Sequence, residues 1–130
     1  MNKFAGKVVI VTGAGGGIGS VTAKAFAAEG AKVAVVDYNE ELAMLTCKEI
    51  ETAGGVARKY VVNVTVFDEV AECVKQVVAD FGGVDILCNI AGGSARKRRA
   101  LSWEQDPVVF DDIIKVNLYG TYFLPASVPK

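Results

Sequence analysis

The chain has 130 residues, 52% of them hydrophobic, with 14 glycines and no histidine, and this length is enough for one domain with its own core. Fourteen basic residues against fifteen acidic leave a formal charge of -1, so no global field recruits nucleic acid or an anionic membrane. The absence of histidine removes Ser-His-Asp and Cys-His catalysis and most zinc sites, and no metal is expected.

The first residues, "MNKFAGK", lack the apolar run of a secretory leader, and no stretch is apolar for long enough to span a bilayer. A cytoplasmic protein without membrane partners is the expectation. Cys47, Cys73 and Cys88 are scattered with no C-x-x-C pair, which reads as reduced thiols.

In chain order, "KVVIV" (7–11) reads as a buried strand, and alanine-rich helical patterning runs from Ile18 to Glu29, where Gly30 stops it. "KVAVVD" (32–37) is a second strand. Asn39 caps a helix that reaches Thr52 or Ala53, with Glu40 and Glu41 in its first turn and Gly54-Gly55 after its end. "VARKYVV" (56–62) alternates like a half-exposed strand near a sheet edge. Thr65 and Asp68 match a capping box opening a third helix, which Gly82-Gly83 end. "VDILCN" (84–89) is the fourth strand, and Cys88 there reads as a small core residue.

A polar stretch follows with the basic run Arg96-Lys97-Arg98-Arg99, read as a solvated loop or a contact for an anionic substrate. Trp103 fits either a pocket wall or simple loop packing. A last helix runs from about Val108 through Asn117 and beyond, with Asp111 and Lys115 as an i,i+4 pair and a kink or break expected near Pro125.

This alternation predicts a single unit over 1–130 of the Rossmann type, a three-layer α/β/α arrangement on a parallel sheet. Right-handed crossovers send strands one to three in one direction. A reversal at strand four then places its helix on the other face. Ligands bind at such a reversal, outside the carboxyl ends of the strands, where the glycine cluster, Asp37, Asn63 and Asn89 all fall.

The glycines of "VIVTGAGGGIGSV" (9–21) put bare amides and a helix N-terminus at one spot, a cradle for phosphate. No Gly-Lys-Ser/Thr is present, which excludes a P-loop. G-x-G-x-x-G also fails, because a start at Gly13 puts Ile18 in the last position and a start at Gly15 puts Ser20 there. What stands there is Thr12-Gly13-x-x-x-Gly17-x-Gly19.

That loop resembles the T-G-x-x-x-G-x-G element of the short-chain dehydrogenase/reductase family. Three further segments match in order. Asn89-Ile90-Ala91-Gly92 is similar to the family's N-x-A-G, Asn63-Val64-Thr65 to its D-V-T with Asn for Asp, and Val116-Asn117-Leu118-Tyr119-Gly120 to the segment carrying its helix asparagine. The resemblance implies a dinucleotide site built from Thr12, Gly13, Gly16, Gly17, Ile18, Gly19, Asp37, Tyr38, Asn63, Val64, Asn89, Ala91 and Gly92. Ile18 would then pack near the nicotinamide and Asn63-Val64 would flank the adenine, the Asn63 amide oxygen accepting from its exocyclic amine.

Asp37, 18 residues after Gly19, suits the two hydroxyls of an adenosine ribose and repels a 2′-phosphate. Gly16 and Tyr38 are uncharged where users of NADP often carry a base, so NAD is the expected cofactor. The resemblance further implies hydride transfer between an alcohol and a carbonyl by Asn, Ser, Tyr and Lys, in a homo-oligomer. Of these four, only Asn117 has a matching position.

Four residues after Tyr38, Tyr60, Tyr119 and Tyr122 stand Leu42, Val64, Phe123 and Ala126, so Y-x-x-x-K is absent. The sheet is expected to be truncated after about four strands and the following helix. The chain then reads as the cofactor-binding half of an NAD-dependent oxidoreductase, inactive alone. A non-catalytic dinucleotide-binding or interaction module, or an inert truncated fragment, are the alternatives.

Overall fold

The computed structural model describes residues 2–93, 100–101 and 103–129. The basic run at 96–99 lies outside them. Four strands, β1 (Val8–Thr12), β2 (Lys32–Asp37), β3 (Val56–Val61) and β4 (Ile86–Cys88), form one sheet in the order β3-β2-β1-β4. Every pairing is parallel: Ile10 lies opposite Ala34 on one side and Leu87 on the other, and Val35 opposite Lys59.

Helices α1 (Gly17–Ala28), α2 (Glu40–Thr52) and α3 (Phe67–Phe81) make the crossovers. Side chains alternate across a strand, so the valine-rich runs feed two cores at once. Val9, Val11, Val33 and Val35 pack with Ala23, Ala27, Ala43, Cys47 and Ile50 of α1 and α2. Val8, Ile10, Ala34 and Val36 pack on the other face with Val70, Cys73, Val74 and Val77 of α3. The fold is thus the Rossmann-type α/β arrangement read from the sequence, and the reversal between β3 and β4 opens a crevice beside β1.

The edge strand β3 shows why its pattern looked half-exposed. Ala57 faces the α1/α2 core and Tyr60 the α3 core, while Arg58 and Lys59 between them reach solvent. Tyr60 donates its hydroxyl to Asp80 at 2.6 Å, and Arg58 meets the same carboxylate at 3.1 Å. Burial and that carboxylate both hold the Tyr60 phenol protonated well above its usual range. Lys59 bonds Glu40 at 2.6 Å on the other side, which lowers the Glu40 pKa.

Several helix ends follow the local reading. Asn39 accepts from the Leu42 amide at 3.1 Å to cap α2. Gly30, Gly54 and Gly82 follow α1, α2 and α3 with positive φ, a conformation that costs glycine little.

The start of α3 differs from the expected capping box. Val66 is the N-cap and no side chain caps the helix. Thr65 instead turns its hydroxyl back to donate to Asn63 Oδ1, a local bond that takes the side chain away from the helix amides it would accept from as a cap.

The last helix begins as α4 (Pro107–Ile114), capped by Asp106, which accepts from the Val108 amide at 2.9 Å. It passes through a π-helical turn, Lys115–Tyr119, into α5 (Gly120–Ser127). The irregularity therefore falls at Asn117 and not at Pro125, which α5 carries near its end. The Asp111–Lys115 pair forms as read, at 2.6 Å on an exposed face, and raises the Lys115 pKa. Leu124 of α5 reaches the α3 core.

Candidate dinucleotide site

The carboxyl ends of β1, β2 and β3 and the loop after β4 surround a cleft of about 820 Å³. Gly13, Gly16, Gly17, Ile18 and Gly19 line its floor, Asp37, Tyr38, Asn39 and Leu42 one wall, and Asn63, Val64, Ala91 and Gly92 the other parts. Eleven of the thirteen residues expected at a nucleotide therefore meet around one cavity. Thr12 and Asn89 do not line it.

Thr12 acts behind the wall. It is fully buried, and its hydroxyl oxygen accepts from the amides of Ile90 at 3.0 Å and Ala91 at 3.1 Å. The end of β1 is thereby clasped to the loop after β4. Gly13 permits the close approach, since a Cβ there would lie 2.9 Å from the backbone of Ala91, and its φ is +64°. Asn89 is half-buried, and its Oδ1 has no hydrogen-bond partner among the described residues.

The turn into α1 folds back on itself. The Gly16 amide donates to the Gly13 carbonyl at 3.0 Å, and a Cβ on Gly19 would sit 1.9 Å from that same oxygen. A Cβ on Gly17 would meet nothing within 4 Å. One glycine is required by the fold, the other stands open to the cleft. Gly16 is the N-cap of α1 and no side chain caps this helix, so its first amides and the positive end of its dipole face the cavity.

At the end of β2, the Asp37 carboxylate is held by two backbone amides: Gly15 donates to Oδ2 and Asn39 to Oδ1, each at 2.9 Å. Each oxygen keeps a lone pair for a further donor. Gly15 is the residue that sequence reasoning passed over as a variable position. A Cβ there would lie 2.6 Å from Leu42 Cβ and 3.0 Å from Asp37 Oδ2. The run of three glycines at 15–17 was the available signal, but only the packing of α2 against the loop explains it. Ile18 and Tyr38, 76% and 80% exposed, stand at the rim as apolar surface without cover.

Asn63 and Val64 play different parts. Val64 is buried, and a Cβ on Gly120 would sit 2.7 Å from its Cγ2, so α5 packs closely over it. Asn63 is exposed on the cleft wall, and its Oδ1 accepts from the Thr65 amide at 3.0 Å and the Thr65 hydroxyl at 2.6 Å. The oxygen expected to meet a base amine is therefore already occupied by two donors.

Asn117 lies outside the cleft. Its Nδ2 donates to the carbonyls of Gly93 at 2.7 Å and Ile113 at 2.8 Å, and its Oδ1 accepts from the Gly93 amide at 3.3 Å. A Cβ on Gly92 would lie 2.7 Å from that oxygen. The π-helical turn thus ties the loop after β4 to the last helix. Trp103 is 80% exposed and does not line the cavity.

A dinucleotide fits this donor set. The bare first turn of α1 suits a pyrophosphate, the held carboxylate suits ribose hydroxyls, and the apolar rim suits flat rings. The family model for short chain dehydrogenases matches residues 7–129, and the chain belongs to that family. The 7alpha-hydroxysteroid dehydrogenase of Bacteroides fragilis is 32% identical over 98% of this chain and 49% of its own length.

Among solved structures, an NAD+-bound xylitol dehydrogenase superposes with a TM-score of 0.89 at 36% identity, covering 97% of this chain and 48% of that one. A metagenomic short-chain oxidoreductase in complex with NADP gives 0.90 at 30% identity, covering 96% and 56%. The chain spans about half the length of these relatives. Family members of this fold hold NAD or NADP. No helix among the described residues is long and apolar enough to cross a membrane.

Proposed function

We propose that the chain binds NAD in preference to NADP, and that, completed to the length of its relatives, it serves hydride transfer between that cofactor and an alcohol or its carbonyl. The observation that carries this reading is the Asp37 carboxylate, fixed by two amides beside an uncapped helix N-terminus. A carboxylate so placed accepts the two ribose hydroxyls and repels a 2′-phosphate. None of the described residues lining the cleft is Lys or Arg, so among them no base offsets that repulsion.

In this reading the first amides of α1 hold the pyrophosphate and Tyr38 and Val64 border the adenosine. When bound, the cofactor supplies the hydride acceptor or donor. Asn117 acts as a positioning residue, keeping the Ala91-Gly92 loop against the cofactor through its bonds to Gly93. Small alcohols or ketones are the substrate class.

Calorimetric titration of NAD and NADP tests the preference. The expected result is NAD bound at least about tenfold more tightly, a difference near 1.4 kcal/mol, with the gap closing in Asp37→Ala. NADP binding equal to or tighter than NAD refutes the preference, and binding of neither refutes the site. The absence of Y-x-x-x-K from these 130 residues favours a second reading, a binding module without turnover. NAD binding without NAD-linked turnover of secondary alcohols, polyols or ketones supports it, and turnover abolished by Asn117→Ala excludes it.

A further inference from the structure

The side-chain amide of Asn63 carries an oxygen and a nitrogen of nearly the same shape, and only their partners distinguish them. Here the partner is decisive. The Thr65 backbone N–H donates to one of the two atoms at 3.0 Å, and a backbone amide has nothing to accept with, so that atom is the oxygen. The Thr65 hydroxyl donates to the same oxygen at 2.6 Å. Two donors fill its two lone pairs. The amide nitrogen, with two N–H groups, is what the exposed Asn63 has left to offer a molecule in the cleft it lines.

Resting on the dinucleotide reading above, we propose that Asn63 meets the cofactor's purine as a hydrogen-bond donor, so that this position does not select the exocyclic amine of adenine. An N–H donor pairs with an acceptor on the base edge, either the ring nitrogen of adenine or the carbonyl oxygen of hypoxanthine. An aspartate in the same turn does the reverse. One of its oxygens serves Thr65, while the other accepts from the amine and repels a carbonyl oxygen. The single change from carboxylate to amide therefore inverts the polarity of the contact and does more than remove a charge. Thr65 is the residue that enforces this, by holding the oxygen of Asn63 away from the base.

The test is the ratio of dissociation constants for NAD and its hypoxanthine analogue, measured by calorimetry on the whole chain, on Asn63→Asp and on Thr65→Val. The ratio is independent of how much either variant weakens cofactor binding in general. Asn63→Asp is expected to swing it toward NAD by about tenfold, the value of one hydrogen bond to a charged group exchanged for a repulsion. Thr65→Val, which returns one lone pair to the oxygen, is expected to move it the same way by a smaller factor. A ratio unmoved in both variants, with NAD still bound, overturns the inference and leaves the dinucleotide site standing. Binding of neither nucleotide by the unaltered chain overturns that site, and this inference with it.

Discussion

Two glycines of one loop give opposite expectations on replacement by alanine. At Gly19 the new methyl would lie 1.9 Å from the Gly13 carbonyl oxygen and 2.6 Å from its carbon, whereas an ordinary carbon–oxygen contact is about 3.3 Å or more. The turn has to open by more than 1 Å (roughly the difference between those distances), and overpacking of that order costs about 1–3 kcal/mol, sometimes more. At Gly17 the methyl would meet nothing within 4 Å, and the backbone there is helical with no positive φ. Removing a glycine from such a position stabilises by about 0.4–1 kcal/mol through the unfolded chain.

Gly17→Ala is therefore expected to raise the melting temperature by about 2–4 °C. Gly19→Ala is expected to lower it by at least as much. Binding separates the two again. The Gly17 methyl stands where the bare first turn of α1 faces the cleft, and NAD affinity is expected to fall by about tenfold or more in this more stable variant. Thermal melts with calorimetric titration decide the matter. A Gly17→Ala chain that binds NAD as tightly as the unaltered one refutes the claim that this backbone is kept bare for a ligand.

Gly15→Ala, which would push on Leu42 and on Asp37 Oδ2, is expected to weaken NAD binding by about tenfold, but by less than about twofold when Asp37 is already alanine; an undiminished effect in the double variant shows that Gly15 does not act through Asp37. Burial pushes the Cys47 thiol up to about 11 and the Cys73 thiol up to about 12 from 9.0. The folded chain thus keeps protons that the unfolded chain releases, so stability is fully present below pH 9 and is lost as pH rises toward 12. Urea unfolding at pH 8 and pH 10 is expected to show a flatter loss in Cys73→Ala, and an unchanged slope contradicts it.

Much of this protein is written locally. The valine runs at 8–11 and 33–36, the glycines after each of the first three helices and the Asn39 cap fix where the chain extends, coils and turns. Those features depend on backbone preferences and on periodicity, which act between near neighbours. The gathering of Gly17, Asp37, Asn63 and Ala91 around one cleft was also legible, because parallel strands with right-handed crossovers leave one arrangement of carboxyl ends.

What the sequence did not disclose was the use to which each polar atom is put. Thr65 fits a capping box as a string of letters, yet the turn after β3 delivers its hydroxyl to Asn63. Thr12 and Asn117 match segments associated with cofactor and catalysis, yet their side chains are spent on backbone atoms of Ile90, Ala91 and Gly93. Gly15 stands at a position the motif leaves open and is confined by Leu42 across the loop. The physical reason is common to all of these. Periodicity and turn propensity determine the path of the backbone, while a donor or a bare Cα takes its meaning from whichever group is brought within about 3 Å of it. Only the packed tertiary structure decides that.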